Sequence, residues 1–174
     1  MKQKKSKKTM MKRKSKSNKP AQQKALEVLL YRDHSRKELY EKLQKYDYSE
    51  SEIEAALEYA SKYGYLNDER FAANFVNFNI SKLGKNAIYR ELKSKGIDPE
   101  IIERELESQE IDENEVIYEL LKKRAGEPHE LDDKEYRRCF GYLARRGFSQ
   151  SEIHKALHRY VDEAEELADG IFDD

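Results

Sequence analysis

The sequence predicts an all-α chain, built as three tandem three-helix repeats that stack into an elongated array. Three observations carry that reading. One apolar spacing occurs three times, the same capping signals stand at the same place in each copy, and charged residues at 40% outnumber hydrophobic ones at 37%, which argues against one thick core. The copies start at Leu39, Ile88 and Cys139. Leu43, Leu92 and Leu143 follow four residues on, and Tyr48, Ile97 and Phe148 nine residues on. Ile53, Ile102 and Ile153 come next, then Leu57, Leu106 and Leu157, with Tyr40, Tyr89 and Phe140 at one further shared position. Offsets of 49 and 51 residues between copies mark a repeat architecture, in which each unit buries its apolar face against neighbouring helices.

Residues 1 to 19 hold ten Lys or Arg and no acid, which predicts a disordered basic tail. Residues 20 to 62 form the first copy. Its opening helix is expected to bury Leu26, Leu29 and Leu30, and its second helix Leu39 and Leu43. Asp47 is then asked to take the left-handed turn, and Ser49 with Glu52 makes an S-x-x-E capping box for the third helix. In residues 63 to 109 the opening helix is expected to bury Phe71, Phe75 and Phe78, Gly96 makes the turn, and Asp98-Pro99 supplies an N-cap followed by proline at the first helical position. Residues 110 to 161 repeat the plan with Val116, Leu120 and Leu121, Gly147, and the Ser149/Glu152 box. Residues 162 to 174, with seven acids and no base, form an acidic tail.

A net charge of −1 therefore hides a division: beyond residue 19 the formal charge is −11, of which the body to residue 161 carries −4. The basic tail suits either non-specific attraction to nucleic acid or simple solubilisation. No apolar run approaches the roughly 18 residues that cross a bilayer, and the basic start lacks the apolar segment of a secretory signal, so a cytoplasmic chain without a membrane partner is expected. The single Cys139 lies on the core stripe and reads as a small buried hydrophobe.

No catalytic motif is present: there is no glycine-rich phosphate loop, nucleophile elbow or CxxC, so a non-enzymatic chain without cofactor is expected. His154, His158 and Asp162 share one helical ridge, but a plain solvated ridge explains them better than a metal site. Helices joined by short capped turns also suit a major-groove reader. The groove-entering helices, however, would carry Glu50, Glu52, Glu54 and Glu58 in the first copy and Glu100, Glu103, Glu105 and Glu107 in the second, facing phosphate with the wrong sign. Bases gather elsewhere. With Ile88 and Leu92 buried, Arg90 and Lys93 point outward; Lys82 and Lys85 precede that helix and Lys95 ends it. Arg137 faces outward in the third copy, and Arg145 and Arg146 fall in a last turn, where the helix dipole alone stabilises cations by about 0.3 to 1 kcal/mol. Lys82, Lys85, Arg90, Lys93, Lys95, Arg137, Arg145 and Arg146 are thus the candidate contact residues.

Four stretches carry a family resemblance: His34-Ser35-Arg36-Lys37-Glu38-Leu39 with Leu43; Gly64-Tyr65-Leu66-Asn67-Asp68-Glu69-Arg70-Phe71-Ala72; Glu91-Leu92 with Lys95-Gly96-Ile97; and Leu143 with Arg145-Arg146-Gly147-Phe148-Ser149. From about Ala25 to Leu157 the chain resembles the RecX family, bacterial modulators of the RecA recombinase. One departure is local: Gly84-Lys85 stands where the resemblance leads one to expect Gly-Pro, so a stiff helix entry is exchanged for a positive charge. The resemblance implies a curved, three-repeat helical monomer that lies in the groove of a RecA filament on single-stranded DNA and hinders its growth or promotes its disassembly. The alternative from the residues alone is a helical nucleic-acid-binding protein that acts without a recombinase.

Overall fold

The computed structural model describes residues 18–110 and 112–169. Among them are nine α-helices and no strand: α1 (Ala21–Tyr31), α2 (Arg36–Leu43), α3 (Glu50–Lys62), α4 (Asp68–Asn79), α5 (Lys85–Ser94), α6 (Pro99–Glu107), α7 (Glu113–Ala125), α8 (Asp133–Arg145) and α9 (Gln150–Asp169). In each triplet the first helix packs mainly on the third. The chain divides into two compact units, one ending at Asn67 and the other starting at Asp68 and holding the second and third triplets.

Every residue of the five recurring apolar positions is buried, from Leu39, Ile88 and Cys139 to Leu57, Leu106 and Leu157. Burying one Leu or Ile side chain is worth about 1.5 to 3 kcal/mol, so these positions, repeated in three separate cores, supply most of what holds each triplet together. Cys139 is buried as expected, and burial raises its thiol pKa.

The caps form as read. In α3 and α9 the serine oxygen accepts from the Glu52 and Glu152 amides, while the glutamates accept from the Ser49 and Ser149 amides. Asp98 accepts from the Glu100 amide, with Pro99 in the first turn of α6. Gly96 and Gly147 take φ of 81° and 88°.

Asp47 corrects the expectation, since no non-glycine residue has positive φ among the described residues. A Cβ makes that conformation cost about 1 kcal/mol or more. The chain avoids it by ending α2 at Leu43, two residues earlier than the matching positions in α5 and α8. Short-range bonds then close the turn, from the Lys45 amide to the Lys42 carbonyl and from Tyr46 to Leu43.

The opening helices hold two further corrections. Leu30 is 85% exposed, and α1 instead buries Ala21 and Ala25 with Val28 and Leu29 packed beside them. These alanines, together with buried Ala56 and Ala60 of α3, permit a close helix approach that a leucine would block. Phe78 is 69% exposed although a 100° step per residue places it only about 20° from buried Phe71; near the end of α4 the core is closed by Val76, and by Ile80 just beyond the helix.

The reading of residues 1 to 19 as a disordered tail lies outside the described residues as far as position 17. Lys19 is held in place, its carbonyl accepting from the Tyr48 hydroxyl at 2.7 Å and its ammonium paired with Glu27. The acidic stretch from Asp162 continues α9 as helix to Asp169, and Glu163 there accepts from the buried Tyr118 hydroxyl. Desolvation, with this carboxylate beside it, pushes the Tyr118 phenol up to about 12. Residues 170 to 174 lie outside the description.

Candidate functional site

The second and third triplets meet at a backbone junction that places part of the basic set. Gly84, the N-cap of α5, donates its amide N–H to the Arg146 carbonyl at 2.9 Å. A Cβ on Gly84 would stand 2.7 Å from the Gly147 carbonyl oxygen, and one on Gly147 would stand 2.5 Å from Cβ of Ala87. Both glycines are therefore required by close approach. The Lys85 amide N–H donates to Glu113 Oε1 at 2.8 Å, binding α5 to the start of α7. Proline has no such N–H, so this chain uses the bond that its departure from Gly-Pro provides.

The junction thus brings Lys85 together with Arg146 along the backbone, with Lys82 just before it and Arg145 just behind. Arg90, Lys93 and Lys95 belong to the other end of α5, ten residues and about 15 Å long. Arg137 stands apart near the start of α8, 3.4 Å from Asp133, with both side chains nearly fully exposed. The eight cations are distributed over two helices and three turns and do not form a single cluster.

Several of them are held against aromatic rings, a partner class absent from the candidate set. The Arg146 guanidinium carbon lies 3.7 Å from the Tyr142 ring centroid and Arg124 lies 5.6 Å from the same ring. Lys93 Nζ is 5.8 Å from Tyr89, Lys95 Nζ 5.8 Å from Phe75, and Lys82 Nζ 3.6 Å from Phe78. Such pairs combine cation–π attraction with a preset side-chain position. Phe78 escaped the sequence reading because its spacing from Phe71 and Phe75 suits a core stripe; the signal available was the competing line through Ala72, Val76 and Ile80. Arg90 is exposed, its Nε donating to the Asn86 carbonyl at 3.2 Å, and Lys93 is exposed as read.

His154 Nδ1 lies 2.7 Å from the Tyr136 hydroxyl, and among the described residues no group of three or more His, Cys, Asp or Glu is placed to hold a metal ion. No described helix is long and apolar enough to cross a membrane. His34 is a separate case, buried at 2% exposure beside the N-cap Ser35 of α2. Its Nδ1 donates to the Arg32 carbonyl at 2.9 Å, and its Nε2 is buried without a hydrogen-bond partner among the described residues. Burial lowers its pKa.

Models of three RecX three-helix domains match this chain in order, the first at residues 21–59, the second at 67–106 and the third at 111–157. The chain belongs to the RecX family. A relative named regulatory protein RecX, from Stenotrophomonas maltophilia, is 34% identical over 142 residues, covering 81% of this chain and 87% of that protein. Another of the same name, from Vibrio campbellii, is 34% identical over 134 residues, covering 76% and 86%. The crystal structure of RecX from Lactobacillus salivarius superposes with a TM-score of 0.66 at 26% identity, covering 82% of this chain and 94% of that one. The RecX matches span all nine helices at least in part, so the three triplets described above are the three domains of the family. The family is one of regulatory proteins, and that is the class of this chain.

Proposed function

We propose that this RecX-family chain regulates a RecA recombinase by binding its filament on single-stranded DNA, and that binding hinders filament growth or promotes disassembly. The observation that carries the reading is the ordered match to all three RecX domains. Two physical features agree with it. Similar helical units repeated along one chain suit a partner that is itself periodic, because successive weak contacts become intramolecular once the first is made. The basic residues of α5 and of the Arg145 to Gly147 turn stand out from a body that is otherwise acidic, and they suit acidic protein surface or phosphate. The chain's role in this reading is non-enzymatic, and single-stranded DNA is a weak, sequence-independent partner, aided by the lysines of residues 1 to 19.

The test is to add the full chain at substoichiometric amounts to a recombinase turning over ATP on single-stranded DNA. The expected result is slower hydrolysis and shorter filaments by electron microscopy. Unchanged hydrolysis and unchanged filament length, with helical protein present, overturn the reading.

A further inference from the structure

Phe78 and Lys82 form an aromatic–cation pair at the end of α4 that lies outside the core. Phe78 has 69% of its surface exposed, and Lys82, one turn on, holds its ammonium 3.6 Å from the ring centroid. Phe75, one turn before Phe78 on α4 and partly buried, has Lys95 Nζ 5.8 Å from its ring. From Arg70 to Ile97 the chain carries six bases and only one acid, Glu91, against a net charge of −1 overall. Phe78 is a large apolar ring exposed within a strongly basic stretch, and core packing does not account for it.

We propose that Phe78 and Lys82, continued by Phe75 and Lys95, form a subsite for single-stranded nucleic acid, in which an unpaired base stacks on the exposed ring of Phe78 and the Lys82 ammonium turns from the ring to the backbone. The ammonium groups meet the adjoining phosphates. The arrangement fits this occupant chemically: every base offers a π-face, stacking on an aromatic side chain is sequence-tolerant, and lysines flanking the ring supply the charge complement of the backbone. A duplex does not fit, since its base faces are stacked on one another. An apolar peptide does not fit either, because Lys82 holds a charged ammonium at the ring. This subsite builds on the filament reading, whose target contains single-stranded DNA, but it is a property of the chain by itself.

The experiment measures fluorescence anisotropy of the full chain with two labelled twelve-nucleotide strands, oligo(dT) and an abasic strand with the same phosphates, across a range of salt and without recombinase. Phe78→Ala is expected to weaken oligo(dT) binding about tenfold, the equivalent of about 1.4 kcal/mol, while leaving the abasic strand unchanged. Phe78→Trp is expected to retain or improve oligo(dT) binding. Lys82→Gln is expected to weaken both strands and to reduce the log-log salt slope by about 0.7. The side chain is exposed, so Phe78→Ala is expected to melt like the parent. Absence of oligo(dT) binding by the parent, an unchanged oligo(dT) affinity for Phe78→Ala, or equal losses on both strands overturns the subsite. A Phe78→Ala chain that keeps oligo(dT) affinity but no longer slows a recombinase assigns the ring to protein contact and overturns it too. A parent that binds as described and yet leaves recombinase hydrolysis unchanged overturns only the filament reading.

Discussion

The amide of Gly84 donates to the carbonyl of Arg146 at 2.9 Å, so the entrance of α5 and the exit of α8 are one structure. The bond requires backbones to meet where side chains ordinarily keep them apart, and the glycines at 84 and 147 make that approach. Positioning of Lys85 and Arg146 therefore depends on two residues that carry no charge.

Substituting these glycines tests the junction. Gly64 has φ of 73° and open space where a Cβ would stand, so Gly64→Ala measures conformational cost alone, about 1 to 2 kcal/mol. Gly147→Ala adds a clash with Ala87, and the expected total exceeds the Gly64 value by about 1 to 3 kcal/mol. Gly84→Ala, with negative φ, shows the clash without the conformational cost. Urea unfolding that ranks Gly147→Ala no worse than Gly64→Ala would falsify the interlock.

Lys85 and Glu113 are expected to be coupled through a backbone bond. Gly84 already has the extended ψ of 153° that a following proline prefers, and position 85 is the first of α5, so Lys85→Pro is expected to fold. Glu113→Ala should destabilise the parent by about 1.5 to 3 kcal/mol, the range for a hydrogen bond to a charged acceptor, and the Lys85→Pro chain by much less. Equal losses in both backgrounds, read from urea midpoints in a double-mutant cycle, would show that the bond contributes nothing.

His34 gives α1–α3 a pH dependence with a definite sign. Burial holds its folded pKa below the unfolded value of 6.5, with Arg32 and Lys42 adding to the depression while the Arg32 carbonyl and Glu38 oppose it. The unfolded chain then binds more protons than the folded one, so stability is full above about pH 6.5 and falls as pH drops toward the folded pKa. His34→Asn keeps an N–H donor near the Nδ1 position but does not titrate. Amide exchange in α1–α3 is expected to accelerate between pH 7 and 5.5 in the parent, after correction for intrinsic rates. An equal acceleration in His34→Asn would remove His34 as the cause.

Arg90→Glu with Lys93→Glu tests the outward side of α5. Both residues are exposed and pack no core, so helix content and melting should match the parent, whereas like charge against the filament should raise the half-inhibitory concentration at least about tenfold. Removing residues 1 to 19 should instead weaken bare-DNA binding and flatten its salt dependence with inhibition largely retained. A stable double variant that inhibits as well as the parent would pass the contact surface to Arg137, Arg145 and Arg146.

The sequence by itself determined the parts of this protein that depend on neighbours in the chain: the five recurring apolar positions from Leu39 to Leu57 and their copies are buried, and Ser49, Asp98 and Ser149 cap the helices they were expected to cap. Helical period and cap chemistry are local, so three copies of one pattern suffice to reveal them. Tertiary structure decided what depends on how closely helices approach. It selected Ala21 and Ala25 over Leu30 against Ala56 and Ala60, turned Phe78 outward beside Lys82, and brought Gly84 onto the Arg146 carbonyl. Spacing restricts a residue to one side of its helix, but burial within that side is settled by the shape of the partner helix, and a contact between residues 62 positions apart leaves no periodic trace.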